Sequence, residues 1–358
     1  MDRRMGGLTA ALEVGPGGSR QGLAAAVFRA VQVALVPLAT VGYVHWVTRL
    51  VRYSRQSGAS ATVLASQYAR WMQHRLGTRR DEPCARLMQV LPNVPALGLA
   101  LVTAPTLLAH RLTGYVPRIY RYPYEGDAVM AHHAAARTSF YDDVVQRRPA
   151  HIEQLVVLGA GLDTRAHRLP ANTALRCFEV DTPKTQAFKL DMLRRAGVEA
   201  GAVTYVAANF RDEDWLEQLV GAGFDPKKAT LFTWESVCMY LDGGAVESTL
   251  RTIASLAPGS VVAFDYLAKE LVEDRSAVGR YVQAALRAMG EPWTFGVQTR
   301  SPGHPVPDPA PLLALLGACG LSLVQQQLVW QDLRKKRVAA GFVAAAPRTT
   351  GALEPSSS

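Results

Sequence analysis

The chain has 358 residues, 49% of them apolar and 19% charged, with a net charge of +9. The length exceeds the roughly 100–200 residues of a single domain, so a catalytic domain with an appended region is expected. Residues 1–120 contain fourteen Arg, no Lys and four acids, a net +10, while residues 121–358 sum to −1. Basic residues beside apolar runs attract anionic lipid and argue against nucleic acid, which would call for basic residues interleaved with polar and aromatic ones.

Residues 1–20 hold five glycines and no apolar period, and 347–358 are equally featureless, so both ends are expected to be disordered tails. Residues 21–126 read as an N-terminal helical, apolar region. Within it, residues 30–48 run nineteen positions without a charge, close to the ~20 needed to span a bilayer. Tyr43 and Trp46 followed by Arg49, Arg52 and Arg55 resemble an aromatic belt with a basic flank. The expectation is membrane association through residues 30–48 with the catalytic domain on the cytoplasmic side; the alternative is a cytoplasmic protein whose helical cap forms a greasy acceptor pocket. Residues 61–90 look helical, with Trp71, Met72 and Leu76 on one face. Pro92, Pro95 and Pro105 predict that the second apolar stretch, 91–109, is a bent pair of short helices. Tyr115, Tyr120, Tyr122 and Tyr124, interleaved with arginines, suit either a headgroup layer or a substrate mouth.

From residue 127 to 346 the pattern alternates. Strands are expected at 154–159, 175–180, 202–207, 229–234, 260–266, 321–330 and 338–345, with helices at 127–147, 162–168, 183–196, 212–220, 244–256, 271–288 and 309–318. Short strands apolar on both faces alternating with helices predict a mostly parallel, doubly wound seven-stranded sheet, closed by an antiparallel hairpin around the charged turn 332–337. The four cysteines, Cys84, Cys177, Cys238 and Cys319, have neither metal-ligand nor CxxC spacing, which points to a reducing compartment and no metal.

The first strand runs into Gly159-Ala160-Gly161, where missing side chains let the backbone turn sharply under a ligand. Thr164 stands where a dinucleotide fingerprint has its third glycine, which disfavours pyrophosphate and suits a phosphate-free nucleoside cofactor. Asp181, twenty residues past Gly161, can accept both hydroxyls of a ribose. Its other use, as N-cap of the helix starting near Pro183, can fall to Thr182. Asn209 and Phe210 end the third strand, at the position of an adenine or as a cap and a core aromatic. Glu235 ends the fourth, where a carboxylate can stabilise a sulfonium or act as a base. Tyr266, His132 and His133 are further candidate bases.

Together RTSFYDD (137–143), VLGAGLDTRAHRL (157–169), FEVD (178–181), Trp234-Glu235 to Met239-Tyr240-Leu241 and GEPWTFG (290–296) resemble the leucine carboxyl methyltransferase family and its actinobacterial branch of S-adenosylmethionine (SAM)-dependent O-methyltransferases. The resemblance covers roughly residues 127–346. It implies a Rossmann-like class I methyltransferase fold. It also implies SAM as cofactor, with Arg137 on the methionyl carboxylate, Gly159, Ala160 and Gly161 beneath it, Asp181 on the ribose, Asn209 and Phe210 at adenine and Glu235 on the methionyl side. The family usually has Asp-Leu-Arg where this chain has Asn209-Phe210-Arg211, an exchange that keeps the hydrogen-bond acceptor and loses its charge. The function expected is O-methylation, at a carboxyl or hydroxyl, of a small hydrophobic acceptor. The competing readings are an NAD(P)-dependent oxidoreductase and a membrane-anchored non-catalytic scaffold.

Overall fold

The computed structural model describes residues 16–57, 62–170, 174–210, 215–288, 290–301 and 307–348. The expected tails lie almost entirely outside these residues, as does the segment 211–214. The chain divides into two compact units, one holding 16–49 and 94–117 and the other the remaining described residues. The boundary expected at 126/127 is therefore not where the chain parts: residues 62–93 and 118–126 fold with the sheet.

The first unit consists of α1 (Pro16–Ala34), the first part of α2 (Val36–Ser57) and α5 (Ala96–Thr113). The charge-free run 30–48 is not one helix, since α1 and α2 meet at Leu35 with a 60° bend. Pro37 lies in the first turn of α2, where its missing N–H and fixed φ suit a helix start. In the second apolar stretch the outcome is reversed. Pro95 caps α5, and Pro105 sits inside one continuous helix in place of the expected bend. Gly114, with φ +67°, ends it in the left-handed conformation, its N–H returning to the His110 carbonyl.

The second unit opens with α3 (Thr62–Arg75) and α4 (Glu82–Val90), the latter capped by the Asp81 carboxylate, which accepts from Cys84 N–H. The two pack on each other, α3 also on α6 (His133–Gln146) and α4 on α7 (Pro183–Arg195). The sheet contains β1 (Ala128–Val129), β2 (Gln154–Leu158), β3 (Arg176–Asp181), β4 (Val203–Ala207), β5 (Thr230–Trp234), β6 (Val261–Leu267), β7 (Leu321–Asp332) and β8 (Arg337–Pro347). Their order is β1-β7-β8-β6-β5-β2-β3-β4, with β6 through β4 parallel and β8 inserted antiparallel between β6 and β7. The seven expected strands are all present, and the hairpin lies at the far side. The eighth, β1, is only two residues long and occupies the expected start of a helix.

Because side chains alternate across a strand, Val156, Phe178, Phe232, Trp234 and Phe264 face one core with α8 (Trp215–Gly221), α9 (Gly243–Ala254) and α12 (Ala310–Ala318). Leu155, Val157, Cys177 and Leu231 face the other. Central strands covered on both sides are buried at every position, as β2 and β5 are. The helix expected at 271–288 is two, α10 (Lys269–Val272) and α11 (Ala277–Ala288).

Candidate functional site

The carboxyl ends of β2, β3 and β5 adjoin at the centre of the sheet, where β2 lies between its two neighbours. An open parallel sheet binds ligands at this edge. Gly159 and Gly161 leave β2 with φ of +65° and +46°, conformations open to glycine. A Cβ on Gly159 would lie 2.3 Å from Val237 Cγ2, so the turn is close-packed as well as left-handed. The expected helix 162–168 does not form: residues 161–165 are turns and bends, and only a 3₁₀ turn, Ala166–Arg168, comes after. Thr164 is fully buried, and its hydroxyl donates to the Asp81 carboxylate at 2.9 and 3.0 Å. The third-glycine position is thus used for packing, and among the described residues no α-helix starts between Gly161 and β3.

Asp181 ends β3 with its carboxylate anchored twice, accepting from Gly161 N–H and from Thr182 N–H, each at 2.7 Å. Helix capping falls to Thr182, whose hydroxyl accepts from Thr185 N–H. Burial raises the Asp181 carboxyl above its ordinary value, and the Gly161 and Thr182 amides pull the other way. The Thr185 side chain also hydrogen-bonds this carboxylate and favours its ionised form, so the acid is held firmly toward the glycine turn. Ala208 N–H donates to the Asp181 carbonyl at 2.9 Å, so the exit from β4 brings Asn209, partly buried, to the same edge. Phe210 belongs to the core: it is 8% exposed, with ring centroids 6.2 and 6.1 Å from those of Trp215 and Trp234.

Glu235 lies at the end of β5 inside a cage of arginines. Arg70 donates to its two oxygens at 2.8 and 2.7 Å, Arg165 binds Oε2 at 2.5 Å, and Arg137 Nε stands 3.0 Å from Oε1. Burial alone would raise this carboxyl, but Arg165, Arg70 and Arg137 outweigh it and hold it near 2. Arg137 also donates to Ser236 Oγ at 2.6 Å and to Ser66 Oγ. The cage continues through Asp163, paired with Arg165, to Asp142, which takes Arg79, Arg165, Arg168 and the Tyr122 hydroxyl. Arg70, Arg79, Arg137, Arg165, Asp142 and Asp163 are buried, and Glu235 is partly buried.

Arg70, Arg79 and Asp81 come from residues that read only as an amphipathic helical stretch. A signal is present there, since Gln67, Arg70 and Gln73 fall among Trp71, Met72 and Leu76 and are buried with them. Charged and amide side chains on an apolar face demand partners elsewhere in the fold. Asp265 is another addition. It is fully buried, accepts from Ser236 N–H at 2.6 Å, and is pushed up to about 6 by burial. Ser236 itself has φ +59°, a strained value for a serine, which turns the chain sharply after Glu235.

The candidate bases separate. Tyr266 alternates with Asp265 along β6, so it faces the opposite core, 2% exposed, its hydroxyl accepting from Gln326 at 2.9 Å. A Cβ on Gly341 would lie 2.5 Å from that ring, so the tyrosine is wedged across β8. Burial pushes its phenol up to about 12, and the expectation that it acts as a base is not met by this geometry. His132 is engaged with the Tyr124 hydroxyl at 3.0 Å. His133 stacks on Phe342 at 5.4 Å with Nε2 buried and without a hydrogen-bond partner among the described residues. Burial, then Arg137, lower its imidazole to about 3, so it is neutral at physiological pH. Among the described residues no group of three or more His, Cys, Asp or Glu could hold a metal, and all four cysteines are free and buried.

Residues 122–254 match the family model described as leucine carboxyl methyltransferase. A protein from Parafrankia sp. (strain EAN1pec), named as an S-adenosyl-L-methionine-dependent methyltransferase, is 33% identical over 179 residues, 49% of this chain and 56% of its own. One of the same designation from Mycobacterium bovis (strain BCG / Pasteur 1173P2) is 34% identical over 208 residues, 58% of this chain and 57% of its own. The chain thus spans about half the length of the curated relatives it matches. Among solved structures, a Streptomyces avermitilis protein of the duf574 family superposes with a TM-score of 0.42 at 17% identity over 61% of this chain and 85% of its own, too distant to bear on the site. Through residues 122–254, from the tyrosine-rich approach to β1 as far as the end of α9, this chain is similar to the leucine carboxyl methyltransferase family.

Proposed function

We propose that the second unit binds SAM at the carboxyl ends of β2, β3 and β5 and directs its methyl group to an oxygen of a hydrophobic small molecule. The observation that carries this reading is Asp181, a partly buried acid aimed along the Gly159–Gly161 turn by two backbone amides, at the strand end where a carboxylate can accept from a ribose hydroxyl. A second feature fits the amino-acid end of the cofactor. Among the described residues Arg70 Nε and Arg165 Nη2 are buried donors without a hydrogen-bond acceptor beside Glu235, and a carboxylate would satisfy them. Arg137 would share that carboxylate, Asn209 would meet the adenine edge, and Glu235 would supply the negative charge that favours a cationic sulfur nearby.

When bound, SAM supplies a methyl group on a positively charged sulfur, which an attacking oxygen takes as the carbon–sulfur bond breaks and a neutral thioether leaves. The chain's own contribution is orientation and exclusion of water, because a neutral leaving group needs no proton. Of the residues weighed as bases, Glu235 is locked by three guanidiniums, Tyr266 faces away, His132 is engaged, and His133 is neutral but weakly basic. An acceptor that arrives ionised needs none of them, so the reading favours a carboxylate over an alcohol. A dinucleotide is disfavoured, since among the described residues no α-helix follows Gly161 before β3 to hold its pyrophosphate.

The test is incubation of the protein with methyl-labelled SAM and hydrophobic carboxylic acids extracted from the host. Label in a base-labile methyl ester supports the reading. Label recovered on carbon or nitrogen overturns the oxygen assignment, and no label in any product, with SAM bound, overturns turnover.

A further inference from the structure

In an ordinary helical bundle apolar stripes face inward and polar residues outward. The first unit has apolar residues on both sides. Along α1, Leu23, Ala26, Val27, Ala30 and Val33 recur at helical spacing, and all are exposed, Leu23 and Val33 by 67% and 72%. On α2 the same is true of Val36, Leu38, Val41, Tyr43 and Val44, and on α5 of Leu97, Leu108 and Leu112. Bared to water, such contiguous surface is unfavourable.

Three independent features point to what covers it. First, the helices meet through glycines. A Cβ on Gly42 would lie 2.6 Å from Leu101 Cβ and 2.7 Å from Val102 N, and one on Gly98 would lie 3.3 Å from the Gly42 carbonyl. Backbones that approach this closely over small residues are the way helices associate where the surroundings are as apolar as the side chains. Second, the polar side chains close on their own helices. The Thr40, Thr48, Thr103 and Thr113 hydroxyls donate to the carbonyls four residues earlier, and Gln32 bridges to Thr106 at 3.0 Å. Third, residues 16–49 and 94–117 contain no Asp or Glu, while Arg29, Arg49 and Arg111 are exposed. A second copy of this surface would bring like charges together, and anionic lipid headgroups would complement them. Length is sufficient as well: α5 alone, and α1 with α2 taken as a bent pair, are long and apolar enough to enter or cross a bilayer.

We infer that the first unit embeds the exposed faces of α1, α2 and α5 in the hydrocarbon of an anionic lipid bilayer, with its arginines at headgroup level. This stands apart from the cofactor site and holds whether or not that site transfers methyl groups.

The full chain, purified in detergent, is mixed with phosphatidylcholine vesicles with or without phosphatidylglycerol, freed of detergent and floated on a density gradient. It floats with the vesicles, more completely with the anionic ones, and high salt does not release it. A Val33→Glu/Val44→Glu/Leu97→Glu chain changes only exposed positions. Each buried carboxylate is so unfavourable in hydrocarbon that partition falls by about a hundredfold or more, while helical circular dichroism is unchanged. Three results would overturn the inference. One is a wild-type chain that stays monomeric and soluble without detergent or vesicles. Another is a triple variant that floats as well as wild type. The last is a detergent-free dimer of wild type that the variant splits, which would make a second copy the cover.

Discussion

In the first unit apolar side chains lie on the outside and hydroxyls close on their own backbones, whereas at the sheet edge of the second unit guanidiniums and carboxylates fill the inside. Arg70, Arg79, Arg137 and Arg165 are all buried, interleaved with Asp81, Asp142, Asp163 and Glu235. The difference teaches that polarity here follows the job and not the depth. A buried ion network is poor value as stabilisation, since hydrophobic replacements can do as well. It does fix side-chain geometry, and among the described residues Arg70 Nε and Arg165 Nη2 are left without a hydrogen-bond acceptor.

The largest effect expected is from breaking the cage. Glu235→Ala leaves three guanidiniums around an empty centre and should cost about 3–5 kcal/mol of stability, read by denaturant unfolding, together with SAM affinity, read by calorimetry. A change under about 1 kcal/mol would mean the arginines are solvated and the contrast between the units is superficial.

Next is Gly159→Ala, which places a Cβ 2.3 Å from Val237 Cγ2 at φ +65°. About 1–3 kcal/mol of strain is expected. Adding Val237→Ala should restore only part of it, because the clash is relieved and the backbone conformation is not. Full recovery in the double variant would show that left-handed geometry at Gly159 is unimportant.

The pH dependence sharpens the same comparison. His133, held down to about 3 from 6.5, and Glu235, held down to about 2 from 4.5, both take up protons more readily in the unfolded chain. Their contribution to stability is therefore complete above the unfolded values and is lost as pH falls, from below 6.5 for His133 and from 4.5 toward 2 for Glu235. Asp265, raised to about 6, runs the other way and favours the folded state as pH falls. Chemical denaturation across this range should show a shallower loss below pH 4.5 in Glu235→Gln than in wild type. Parallel curves would place the acid sensitivity elsewhere.

The smallest effect expected is from Tyr266→Phe. It removes one hydrogen bond with Gln326, about 1 kcal/mol, and should leave SAM affinity and turnover unchanged. A large fall in turnover would return Tyr266 to the chemistry despite its facing the opposite core.

Much of the second unit is legible in the sequence because its signals are local. Strand period, the Gly159–Gly161 turn and the capping competence of Thr182 each depend on neighbours within a few residues. Asp181 stands out by its spacing from Gly161, and the structure joins those two residues by a hydrogen bond. The parts that escape a sequence reading depend on distant partners. Arg70 meets Glu235 across 165 positions and Arg79 meets Asp142 across 63, so the role of residues 62–93 emerges only when the sheet assembles. Phe210 shows the converse: an aromatic at the right strand end suits either a ligand face or the core, and Trp215 and Trp234 decide for the core. Pro105 predicts a break that α5 does not make, because a helix can absorb one missing N–H when its packing persists.

The central claim, that Asp181 and the glycine turn hold SAM, is tested most directly by titrating SAM and NAD into wild type and Asp181→Ala by calorimetry. The account predicts that wild type binds SAM and not NAD, and that the variant loses about tenfold or more in SAM affinity, the worth of a charge-assisted hydrogen bond. NAD binding without SAM binding, or equal SAM affinity in the two proteins, would contradict it.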